Sequence, residues 1–170
     1  MKTKINLSLP SLAMTQPKML AIGLDMVSII KMRVYKGIDA NEKPFLAYST
    51  KPLYVSKKSP LGRRLAPKGG IKTKGGMYFE GGYREYKEKS RKRSNAIEGQ
   101  TAEVDLTLSG MMLQNFTVLS STARSFIIGL LPPVRHYGYN VNSRRSFIGL
   151  SPKEVDQLIE IVKINLLETT

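Results

Sequence analysis

The feature that most constrains this chain is where its positive charge sits. The chain carries 27 Lys and Arg against 13 Asp and Glu, a formal net charge of +14. Residues 51–100 hold 14 of those bases and only 4 acids, together with 8 of the 14 glycines. Large apolar residues are sparse in that stretch: Leu53, Val55, Leu61, Leu65, Ile71, Met77, Phe79 and Ile97 stand apart, with tyrosines between them. Such a segment has little apolar surface with which to offset its ordering entropy. A long loop, arm or β-extension that orders against a partner is expected there. The flanks, 18–50 and 101–170, then have to supply the fold.

At 170 residues, the chain is read as a single domain of 1–170 with an N-terminal extension over 1–17 and the basic Gly/Tyr-rich arm inserted at 51–100. Hydrophobic residues make up 41% and charged residues 24%, which excludes a wholly disordered chain. With no cysteine, disulfides, thiolate metal sites and a cysteine nucleophile are excluded. A single histidine excludes a multi-His metal centre within one chain. No uncharged apolar run approaches the ~18 residues of a membrane span. The opening MKTKINLSLPSLAM has polar interruptions and no small-residue cleavage site, so a cytosolic product without a cleaved leader is expected.

Periodicity places the elements. From Lys18 to Lys36, Met19, Leu20, Met26, Val27, Ile30 and Val34 share one helical face, with Lys18, Asp25, Arg33 and Lys36 opposite. Gly37 stops that helix at the position a C-terminal glycine favours. Turn signals at Asp39, Asn41 and Pro44 follow, and Phe45, Tyr48 and Tyr54 are expected to cover the helix. Val104, Leu106 and Leu108 alternate with polar residues, as in a half-exposed extended segment. A short helical turn over Ser109 to Asn115 precedes two β-rich runs, FTVLSS and RSFIIGL, which suit a hairpin turning near Thr122. Pro132 and Pro133 are expected to end the second strand. Ser151-Pro152-Lys153-Glu154 is a capping box, and Val155, Leu158, Ile159, Val162 and Leu166 form the stripe of a core helix over about 152–167. The expected class is α+β: an antiparallel sheet flanked by an N-terminal and a C-terminal helix.

Motifs for chemistry are thin. In PKGGIKTKGGMYFEGG, Gly70 and Gly75 have the spacing of a phosphate-binding loop, but Gly76 stands where the lysine must be. His136 is the one candidate for proton transfer near neutral pH. It lies between Pro133 and Gly138, in an expected loop, with no identifiable carboxylate or nucleophile partner. No catalytic residue, cofactor site or metal site is nominated, and an enzyme is not expected. The basic clusters remain: Lys57 and Lys58, Arg63 and Arg64, Lys72 and Lys74, and Arg91, Lys92 and Arg93, interleaved with Tyr54, Tyr78, Tyr83 and Tyr86. Lysine and arginine beside aromatics suit phosphate backbones and bases. They equally suit an acidic protein surface, and composition does not separate the two.

Four segments resemble one family in register. YKGIDANEKPFLAYST is similar to the segment G-x-D-x-x-G-x-P-F-x-P-Y-S of the phage virion morphogenesis proteins, the tail-completion and head–tail joining group. GGMYFEGGYREYKEKS resembles their central glycine–tyrosine segment, and VDLTLSGMMLQNFTVLSS their L-T-x-G-x-M-L-x-S-x-x-V segment. RRSFIGLSPKEVDQLIEIV resembles their closing R-x-F-x-G-L-S-x-x-D and helix. Glu42 departs from the pattern where glycine is common, and Ala47 where proline is common. The resemblance implies a non-enzymatic structural protein of a tailed bacteriophage, found in the virion and, during assembly, in the host cytoplasm. It implies a ring, usually hexameric, at the head–tail junction, as neck connector, tail completion or tail terminator protein. Its partners would be its own copies and the adjoining neck and tail proteins, with non-specific contact to DNA in the channel, and neither membrane nor small-molecule substrate. The arm would then clamp neighbouring subunits or rings through Lys57, Lys58, Arg63, Arg64, Tyr83, Tyr86, Arg91, Lys92 and Arg93. The other reading of the same residues is a basic nucleic-acid-binding module that uses the 51–100 arm.

Overall fold

The computed structural model describes residues 5–8, 14–59, 69–90, 104–107 and 110–167. It has mixed helices and small antiparallel sheets, an α+β fold. Two compact units divide the chain: Met1–Phe45 with Met111–Thr170, and Leu46–Gly110.

The first unit is built on a three-stranded antiparallel sheet. Its strands are β1 (Ile5–Ser8), β5 (Phe116–Ser121) and β6 (Ser125–Leu130), in the order β1-β6-β5. Residues 5–8, expected within an N-terminal extension, are thus a sheet strand, with Ile5 opposite Ile128. The hairpin turns at Thr122 as expected. The Thr122 amide donates to Ser125 O at 2.8 Å, and the Arg124 amide donates to Thr122 Oγ1 at 3.2 Å. A bulge between Val118 and Ser120 breaks the register of β5. Phe126, Ile128 and Leu130 alternate onto one buried face of β6, as period-two side chains must.

Helix α1 (Gln16–Tyr35) packs on this sheet. Met19, Ile22, Met26, Val27, Ile30 and Val34 are its buried stripe. The Thr15 hydroxyl caps its start by accepting from the Lys18 amide at 3.4 Å. Its end is a Schellman motif: the Gly37 amide donates to Val34 O at 3.0 Å and the Ile38 amide to Arg33 O at 3.3 Å. Gly37 takes φ 76, which glycine adopts without the Cβ penalty. Two expectations for this helix change. Leu20 is exposed, and Arg33, placed on the solvent side by the helical wheel, is buried.

Helix α5 (Pro152–Leu167) runs antiparallel to α1. Lys18 Nζ donates to Asn165 O near one end of the pair, and Arg33 meets Glu154 at the other. The capping box is complete. The Ser151 amide donates to Glu154 Oε2 at 2.8 Å, and the Glu154 amide donates to Ser151 Oγ at 3.3 Å. The expected apolar stripe is only partly inward: Leu158 is buried, whereas Val155 and Ile159 are exposed. Buried Glu154, which answers Arg33, takes part of the inward face.

Between the hairpin and α5 lies α4 (Pro132–Arg144), where a strand end and a loop were expected. Pro132 and Pro133 open the helix rather than merely closing the strand, because their missing N–H groups are not needed in the first turn. His136 is therefore on an exposed helical face, not in a loop. The buried positions of α4 are Val134, Gly138 and Asn142. Leu130 Cδ1 lies 2.2 Å from where a Cβ on residue 138 would stand, so glycine permits that contact. Asn142 Oδ1 accepts from the Phe147 and Ile148 amides at 2.9 and 2.8 Å and fixes the loop into α5. The short helix α3 (Met111–Gln114) precedes β5.

The second unit holds an antiparallel sheet of β2 (Leu53–Ser56), β3 (Ile71–Lys72) and β4 (Gly76–Phe79), ordered β2-β4-β3, and helix α2 (Gly82–Ser90). The described part of 51–100 thus takes strands and a helix. Its core is Val55, Phe79 and Tyr86, with Leu53, Met77 and Tyr83 packed against it. Phe79 meets Tyr86 edge-on at 5.3 Å between centroids. Tyr48 stacks edge-on with Tyr83 at 5.2 Å. Tyr48 and Tyr54, expected to cover α1, thus belong to this second unit, and Tyr54 is exposed. The expected extended segment at 104–107 is instead irregular. Leu106 has φ 53, and the polar residue of the pattern, Asp105, is buried in an ion pair with Lys87. Lys87 also donates to Tyr48 OH at 3.0 Å and sits 4.5 Å from the centre of that ring.

Candidate interaction surfaces

The residues that tie the first unit together leave a particular surface open. Arg33 donates from Nε to Glu154 at 2.8 Å, from Nη1 to Ile38 O at 3.3 Å, and from Nη2 to Phe147 O and Gly149 O at 3.2 and 2.8 Å. One guanidinium thereby joins the end of α1, the turn after it and the start of α5. With the inward face of α5 committed to Glu154 and Leu158, and Ile161, Val162 and Leu166 half-buried, other aliphatics point outward. Ile159 is 47% exposed and Ile164 54%. With Ile29 and Ile161 they line a shallow groove of about 710 Å³, bordered by Asp156 and Glu160. Leu20, Leu24 and Met32 are exposed on α1. This surface was not nominated from sequence. A helical stripe shows which residues share a side, and only the buried Glu154 shows that the stripe is rotated partly away from the core.

A second surface belongs to the sheet of the second unit. Tyr54, Tyr78 and Ile71 are direct cross-strand partners, so they form one row on the face opposite Val55 and Phe79. Tyr54 is 51% exposed and Ile71 is exposed. A Cβ on residue 76 would stand 2.9 Å from Tyr54 Cζ and 2.3 Å from Val55 O. Glycine at that position is what lets the tyrosine ring lie against the strand backbone. Beside the row, at one end of the strands, two turns meet, the Lys57 amide donating to Gly75 O at 3.0 Å. Those turns carry Lys57, Lys58 and Lys74, all exposed.

The expected site residues separate accordingly. Lys57 and Lys58 are exposed at this turn. Tyr83 is half-buried beside Tyr48, and Tyr86 is fully buried in the core of its unit rather than displayed at a surface. Arg63, Arg64, Arg91, Lys92 and Arg93 lie outside the described residues. Among the titratable groups, Glu85 is held below the usual carboxylate range, first by a hydrogen bond from Lys89 and then by one from the Gly81 amide at 2.7 Å. Desolvation lowers Lys31. Among the described residues, no group of three His, Asp or Glu could hold a metal ion. No described helix is long and apolar enough to cross a membrane.

No family model, curated protein or solved structure matches this chain.

Proposed function

We propose that this protein is a self-associating structural component of a tailed bacteriophage, forming a ring at the head–tail junction that is needed for virion assembly. The observation that carries the reading is the exposed apolar face of α5, Ile159 and Ile164 above the groove shared with Ile29. Aliphatic residues gathered in this way on a helix suit a protein interface, because burying them against a neighbour removes apolar surface from water. A heterologous contact of that kind closes a ring when its rotation allows. The four sequence segments resembling virion morphogenesis proteins supply the phage setting.

The test is the state of the purified chain, alone and mixed with phage tails, by light scattering and negative-stain imaging. Ring-shaped particles that Ile159→Glu disperses, with the circular dichroism spectrum unchanged, are expected. A monomer at all concentrations that also fails to bind tails would overturn the reading.

A further inference from the structure

We infer that the open face of the β2-β4-β3 sheet binds single-stranded nucleic acid, with Tyr54 stacking on a base and Lys57, Lys58 and Lys74 contacting phosphates. The inference stands on the second unit alone and does not depend on ring assembly. It begins with charge. Residues 51–79 contain no Asp or Glu, and they contain Lys51, Lys57, Lys58, Lys72 and Lys74 among the described positions. None of these five lysines forms an ion pair with a described residue. By contrast, the lysines of α2 are engaged: Lys87 with Asp105 and Lys89 with Glu85. The two lysines of α2 are thus neutralised, whereas Lys57, Lys58 and Lys74 at the sheet turns are not.

Geometry then selects the form of the polyanion. The row Tyr54, Tyr78 and Ile71 runs across three strands, a platform roughly 10 Å wide. A flat aromatic platform can reach only bases whose faces are free, which a duplex does not offer. The tip of the Tyr54 ring, its Cζ and Oη, lies close over Gly76, and the residue is still 51% exposed and so accessible to a base. Lys57, Lys58 and Lys74 lie beside the row, at the end of the strands where the Lys57 and Gly75 turns meet, whereas Lys51 precedes β2 at the other end of the strands. The first acidic residue along the chain after the row, Glu80, follows β4 at the opposite end of the strands. A strand crossing the sheet would therefore place its backbone over the lysine end and stack a base on Tyr54.

Fluorescence anisotropy of a labelled oligothymidylate of about 12 nucleotides, titrated with the full chain from roughly 50 to 200 mM salt, tests this. Replacing Lys57, Lys58 and Lys74 by Gln should weaken binding at least about tenfold and reduce the salt slope by about 2. Tyr54→Leu should weaken binding about tenfold with the slope unchanged, while Tyr54→Phe retains it. Circular dichroism checks that each variant is folded. Replacing Lys36, Lys43 and Arg124 by Gln, an equal change of charge in the first unit, should have little effect. Equal losses in the two charge variants would show a diffuse field and overturn the inference. So would undiminished binding by Tyr54→Leu, or the absence of binding at the lowest salt.

Discussion

Arg33 and Glu154 meet in a buried ion pair of 2.8 Å that fastens the last turn of α1 to the first turn of α5. Three further Arg33 donors are taken by carbonyls of Ile38, Phe147 and Gly149, and the second Glu154 oxygen is taken by the Ser151 amide. Such a pair is costly to break from one side, because the survivor is left charged in a dry site. Glu154→Ala should destabilise the protein by roughly 3–5 kcal/mol, read by urea unfolding. The paired change Arg33→Met with Glu154→Leu should cost clearly less than the sum of the single changes. Additive costs would mean that the two residues act separately.

Ser151 serves the same corner through its hydroxyl, which accepts from the Glu154 amide. Ser151→Ala should cost roughly 1 kcal/mol. In a chain of this size that lowers the melting temperature by about 2–4 °C. An unchanged melting curve would show that the hydroxyl contributes nothing to the helix start.

Glu42 stands at φ 61, a left-handed conformation that glycine adopts without strain. The turn is held by Asp39, whose carboxylate accepts from the Asn41 and Lys43 amides at 2.8 and 2.9 Å. The ion pair of Glu42 with Lys153 is long, at 3.5 Å, and Lys153 is exposed, so little is lost with it. Glu42→Gly should therefore stabilise the protein by about 0.5–1 kcal/mol in chemical denaturation. A loss of stability would show that the side chain matters more than the backbone there.

Acid should selectively erase the contribution of Glu85. Lys89 and the Gly81 amide favour its ionised form and hold it below its ordinary value of 4.5. A carboxyl lowered in the folded state contributes stability that is present above the unfolded value and lost as pH falls through the folded one. The stability difference between the native chain and Glu85→Gln should thus be constant near neutral pH and shrink below about pH 4.5. Urea titrations followed by circular dichroism across that range give the answer, and a difference that grows on acidification would contradict the assignment.

Local signals in the sequence carried α1, the hairpin and α5 because each rests on periodicity or on a cap read over a few residues. The helix α4 escaped because Val134, Gly138 and Asn142 make a buried stripe of small and polar residues that hydropathy does not register. The core of the second unit escaped for a related reason. Tyr83 and Tyr86 read as polar company for lysines, yet Tyr86 is fully buried against Phe79. At Asp105 the alternation pointed the wrong way, since the charge is buried to answer Lys87, and no pattern of neighbours along the chain reveals an ion pair across 18 residues. The exposed residues of α5 and the lysine turns were visible as residues, but their grouping into surfaces depends on pairing register and on which side of a helix a buried carboxylate claims.

The first unit is assembled from two stretches of chain separated by the whole of the second. A ribosome making this protein releases α1 long before it makes the strands that cover it. Roughly 80 residues of further translation, about 4–16 seconds of synthesis, pass before Phe116 emerges. During that interval Met19, Ile22, Met26 and Ile30 face solvent, or a chaperone, without their sheet. The second unit has all its elements in hand sooner, so the nascent chain meets its first folding decision in the middle of its sequence and completes the first unit last.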